Sequence, residues 1–157
     1  MSFVIHGLSP DTFRPLFALD DGALAVRNIR RVVADADRGF PCRVTLADAR
    51  QGETLLLLPF LHHDVAGPYR ASGPIYVREA AMQQPAAVFR DTLPPSFPRR
   101  LLSLRAYDAN GLMRDADVVE GSDALSHLQR LLAVPDVAYL HVHNARPGCY
   151  ACRVDPA

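Results

Sequence analysis

Residues 99–154, RRLLSLRAYDANGLMRDADVVEGSDALSHLQRLLAVPDVAYLHVHNARPGCYACRV, read as two β-hairpins with one helix between them. From Arg99 to Asp108 the residues alternate, with Leu102, Leu104 and Ala106 on one side and Ser103, Arg105 and Tyr107 on the other. Such a period of two marks a strand with one apolar face. The chain turns at Asn110-Gly111 and returns through Leu112 to Val119. A two-residue turn opposes Leu104 to Asp117 and sets a carboxylate among apolar side chains. A three-residue Ala109-Asn110-Gly111 loop pairs Leu104 with Ala116, Leu102 with Val118, Arg105 with Asp115 and Ser103 with Asp117. Burying an unpaired charge is costly, so the second register is expected. Ser122 or Asp123 caps a helix running to about Leu132, with Leu125, Leu128, Leu131 and Leu132 at core spacing and His127 off that stripe. In the strand Val137 to His143, Tyr139, His141 and His143 share one face, and Ala138, Leu140 and Val142 share the other. The return strand, Cys149 to Val154, is expected to bring one thiol near the histidines.

Outward from this stretch, Phe3-Val4-Ile5 is a short strand and Ser9-Pro10 starts a short helix. Asp20-Asp21 starts a second helix, and Ile29 to Ala34 is an apolar run. Cys42 to Leu46 alternates as a strand. Thr54 to Leu61 is apolar on both faces and so reads as a central strand, broken or edged near Pro59. Ser72-Gly73-Pro74 reads as a turn into a strand over 75–79, with Arg70 and Arg78 at its ends. Residues 80–98 form a proline-rich connection, either a lid over a site or partly a short helix. The expectation is a single globular domain over 1–157, of α+β class. Its mainly antiparallel sheet has about five to seven strands, with a few helices packed on one face.

Composition fits that reading. A chain of 157 residues can bury about 70% of the surface its unfolded form exposes. Seventeen basic residues balance seventeen acidic ones, which argues against a polyanion-binding surface and hence against nucleic acid. All seventeen basic residues are arginine. Schiff-base chemistry and a phosphate-loop lysine are thereby excluded, and anion recognition falls to guanidinium forks or backbone amides. No apolar run approaches the about 20 residues that span a bilayer, and the first residues lack the pattern of an export signal. A cytoplasmic protein is expected, its three cysteines held as free thiols.

The polar alternates of separate strands converge on one sheet face. Arg105, Tyr107, Tyr139, His141 and His143, with Tyr76 and Arg78, make a surface suited to a carboxylate or phosphate, because guanidinium makes paired charge-assisted bonds to either. The expected binding residues for a small anionic ligand are Arg70, Ser72, Gly73, Arg78, Arg105, Tyr107, His141, His143 and Arg146. His141 and His143 lie two apart on a strand, so both rings project to one side. A metal site would be drawn from them together with Cys149, Cys152 or a carboxylate such as Asp115. No third ligand follows from spacing, and no cofactor is predicted. Cys149 and Cys152 have dithiol spacing, but on an extended chain their sulfurs point apart. Two other readings remain open: an enzyme using the same histidines, with or without metal, and a homodimer formed through this face.

The stretches Pro41 to Val44, Pro68 to Ile75 (PYRASGPI), Arg100 to Tyr107, Ala116 to Gly121 (ADVVEG) and Ala145 to Tyr150 together resemble a family of small bacterial proteins of unknown function. The resemblance implies a soluble single-domain protein and implies no activity, cofactor or catalytic residue.

Overall fold

In the computed structural model, which describes residues 1–157, the strands are β1 (Phe3–His6), β2 (Arg30–Val33), β3 (Thr54–His63), β4 (Ala71–Arg78), β5 (Val88–Arg90), β6 (Leu101–Tyr107), β7 (Met113–Glu120), β8 (Tyr139–Asn144) and β9 (Tyr150–Pro156). The helices are α1 (Arg14–Phe17), α2 (Asp21–Val26) and α3 (Ala124–Leu132). Six strands form one antiparallel sheet in the order β5-β1-β9-β8-β6-β7, and β2, β3 and β4 form a second antiparallel sheet with β3 central. The class is α+β, as expected. No helix is long and apolar enough to cross a membrane.

One face of the large sheet carries Leu102, Leu104, Ala106, Leu140, Val142, Cys152 and Val154, packed with Leu128, Leu131 and Leu132 of α3. These leucines recur at helical spacing, so a single stripe of α3 meets the sheet; Leu125, expected on that stripe, is exposed. A second core joins Leu56, Leu58, Ile75 and Val77 of the small sheet to Phe13, Leu24 and Tyr150. Every residue of β8 is buried. The polar face of the large sheet is therefore covered at its centre.

Two sequence expectations change, and one left open is decided. The register of the first hairpin is the one passed over: Leu104 pairs with Asp117, Arg105 with Ala116 and Leu102 with Val119, and an irregularity near Arg114 absorbs one residue before the turn. Asp117 is not an unpaired charge, since its carboxylate accepts from His127 Nδ1 at 2.9 Å and Arg130 Nη2 at 2.8 Å, both from α3. His127 thus holds the edge strand to the helix. Cys42 to Leu46 forms turns with one isolated bridge, from Cys42 to Tyr76, and Leu46 adopts a positive φ of 54°. Of the two readings of the proline-rich connection, the partly helical one holds: short 3-10 helices cover Glu79–Gln83 and Phe97–Arg99, β5 pairs with β1 between them, and Phe97 lies in the main core.

Candidate functional site

Two irregularities bring imidazoles to β8. In β3, Leu61 pairs with Ser72 and His63 with Ala71, so His62 and His63 together oppose one residue of β4. A bulge of this kind re-aims side chains that would otherwise alternate. Both rings consequently meet β8, with ring centroids 5.1 Å apart for His62 and His143 and 4.9 Å apart for His63 and His141. In β9, Val142 pairs with Cys152 and His143 with Tyr150, leaving Ala151 as the extra residue. Cys152 therefore stays in the apolar core, while Tyr150 joins the histidines, its centroid 5.0 Å from His141 and stacked on His62 at 5.2 Å.

His62, His141 and His143 each offer a ring nitrogen, and the three lie within 4.8 Å of one another. The Nδ1 atoms of His62 and His141 and Nε2 of His143 are buried without a hydrogen-bond partner. Leaving a buried polar atom unpaired costs about 1–3 kcal/mol, so three in one place call for an occupant. His143 Nδ1 donates to the Gly148 carbonyl at 3.0 Å, which leaves the lone pair on Nε2. Burial, reinforced by neighbouring positive or imidazole groups, lowers the pKa of His141 to about 2 and of His143 to about 4, and moves His62 down as well. Each shift favours the neutral ring, the form in which imidazole ligates metal.

A tetrahedral ion with metal–nitrogen bonds of about 2.0–2.1 Å sets the nitrogens about 3.4 Å apart. The observed nitrogens, within 4.8 Å of one another, would have to draw closer to hold such an ion. Three histidines also match the protein donor set of a catalytic zinc site.

His63 has a different role. Its Nδ1 donates to the Tyr69 carbonyl at 2.7 Å, so Nε2 accepts from the Tyr139 hydroxyl, also at 2.7 Å. The guanidinium of Arg153 lies 3.9 Å over the Tyr139 ring, and Tyr107 packs on His63 at 4.2 Å. Arg105 pairs with His141 across β6 and β8, and its charge acts on both His62 and His143.

The family model described as "Protein of unknown function (DUF1203)" matches residues 39–155. The chain belongs to that family. No curated protein and no solved structure matches it. In this DUF1203 chain the three histidines, Arg105 and the tyrosines around them all fall within the matched residues.

Of the residues expected to bind an anion, Arg105, Tyr107, His141 and His143 come together. Arg78 does not join them, because both oxygens of Glu53 accept from it, at 2.9 and 3.0 Å. Arg70 pairs with Asp64 on the exposed surface. Ser72 and Gly73 belong to β4 rather than to a turn and border a separate shallow cavity with Asn28 and Arg30. Arg146 is exposed and lines another cavity with Cys149. Neither thiol approaches the histidines as expected: Cys152 faces α3, and Cys149 Sγ accepts from Arg43. Asp115 lies toward Arg130 of α3. The sequence reading missed His62. The only local signal for it was a His-His pair at the end of an apolar strand, and the second sheet that delivers it leaves no mark in the spacing.

Proposed function

We propose that this protein binds a transition-metal ion through His62, His141 and His143 and uses it to hold or convert a small anionic molecule beside Arg105. The observation that carries the reading is the convergence of three neutral imidazoles whose inward nitrogens have no partner within the protein. Imidazole donors suit zinc, copper, nickel or iron rather than calcium or magnesium.

Charge favours an anion in the fourth position. No carboxylate belongs to the cluster, so a divalent ion adds its charge to that of Arg105. When bound, such an ion polarises a ligand oxygen and lowers the pKa of its water to about 7. The chain's own residues do the rest. Arg105 supplies a guanidinium for a carboxylate or phosphate, Tyr107 and Tyr150 wall the site, and Gly148 fixes the ring of His143.

The test is cobalt(II) binding to chelator-stripped protein, followed by the visible absorption of the ion. The expected result is one equivalent bound with the intense bands of a four-coordinate site. His62→Ala, His141→Ala and His143→Ala should each weaken binding at least about tenfold, as loss of one ligand implies. Arg105→Ala should retain the cobalt but lose the spectral response to added phosphate or acetate. Wild-type protein that takes up no more cobalt than the triple alanine variant would end the metal reading.

A further inference from the structure

A cavity of about 570 Å³ opens between the two sheets, with Arg43, Arg99, Arg146, Glu120, Asn144 and Cys149 among its walls. Arg43 is 1% exposed. Its Nε donates to the Tyr150 carbonyl at 2.7 Å, its Nη1 to the Pro41 carbonyl and its Nη2 to Cys149 Sγ at 3.1 Å. The protein has ten ion pairs, and none includes Arg43, Arg99 or Arg146. A buried guanidinium without a carboxylate is rare because its charge must be compensated. Of its three partners only the sulfur can carry negative charge. The wall thus carries three arginines outside any ion pair against one carboxylate, Glu120, a balance that favours an anionic visitor, with a thiol beside the place where it would rest.

We propose that this cavity is a second site, distinct from the histidine cluster, which takes a low-molecular-weight disulfide carrying carboxylate groups and exchanges it at Cys149. The thiolate is the nucleophile in such chemistry, and Arg43 Nη2 already donates to the Cys149 sulfur. The sulfur of Cys149, its proton given up to solvent, attacks one sulfur of the bound disulfide. A new S–S bond forms, the old one breaks, and the departing thiolate leaves with the electron pair, so no external oxidant is needed. Arg99 and Arg146 attract the carboxylates. Cys42 and Cys152 are each 1% exposed, so neither resolves the adduct, which persists until an outside thiol removes it.

The experiment compares the doubly charged disulfide 5,5′-dithiobis(2-nitrobenzoate) with the uncharged 4,4′-dithiodipyridine on folded protein, with chelator present so that the histidine site plays no part. Release of one equivalent of aryl thiolate is expected, and none from Cys149→Ser. The rate ratio, anionic over neutral reagent, should exceed that of 2-mercaptoethanol by about tenfold or more, the scale of electrostatic steering into a charged cleft. Arg99→Ala and Arg146→Ala change exposed side chains and leave the fold intact; each should bring the ratio toward that of the free thiol. A ratio equal to that of 2-mercaptoethanol, a Cys149 that reacts only on unfolding, or a ratio untouched by both arginine substitutions overturns the proposal.

Discussion

At His143 one hydrogen bond decides what the ring can do. Its Nδ1 proton goes to the Gly148 carbonyl, and Gly148 holds a φ of 81°, a conformation that costs an L-residue about 1–2 kcal/mol. Gly148→Ala should therefore shift that carbonyl and weaken cobalt binding about 10- to 100-fold, the usual effect of losing an orienting partner, while circular dichroism stays that of the wild type. Asp108 supports a different prediction. Its carboxylate accepts from the backbone N–H of Asn110 and Leu112 at 2.9 and 3.0 Å, and Arg114 pairs with it. The Leu112 N–H is the largest influence holding its pKa below the ordinary carboxylate value. The folded state thus binds fewer protons than the unfolded one, so this contribution is present above the ordinary carboxylate range and is lost as pH falls through the lowered value. Urea midpoints of wild type and Asp108→Asn should be well separated at neutral pH and converge under acid. A separation that stays constant with pH would show that the carboxylate charge has no part in it.

Among the elements, the junction between β7 and α3 depends on Gly121. A Cβ there would sit 1.7 Å from the Phe97 carbonyl oxygen, and the Gly121 N–H already donates to the Arg100 carbonyl at 2.8 Å. Gly121→Ala must push backbone against backbone and should destabilise by about 1–3 kcal/mol, the scale of overpacking. In α3, Leu128→Ala should cost about 2–5 kcal/mol, as for other fully buried leucines, whereas Leu125→Ala should be near neutral; chemical denaturation separates the two. The same elements show what the sequence could reveal. Alternation in β6 and β8 and the leucine spacing of α3 were legible because each is local. The hairpin register was not, because the reading treated Asp117 as a buried charge without a partner. His127 and Arg130 supply that partner from ten and thirteen positions away, on a helix face whose rotation spacing alone does not fix.

At the scale of the whole molecule, the second sheet converts a polar sheet face into an enclosed site. Two members of the histidine cluster could be read from the His-x-His pattern of β8, while the third depended on a bulge in β3 and on how two sheets face one another, neither of which leaves a periodic signal. Metal should accordingly stabilise the entire fold, since the ligands come from both sheets. At a hundredfold the dissociation constant the gain is about 2.7 kcal/mol, which raises Tm by several degrees for a domain of this size. Chelator should reverse the shift, and His62→Ala should abolish it. The large sheet has one further property, set by its strand order. β1 lies between β5 and β9 and pairs with the last strand of the chain, Phe3 opposite Pro156 and Ile5 opposite Val154. During synthesis β1 therefore leaves the ribosome long before one of its two partners, β9, exists. β5 can pair with one edge of β1 earlier, but the other edge stays open until β9 emerges. Folding of this sheet then waits on slow long-range closure, and the apolar strand is exposed to aggregation until that closure is made.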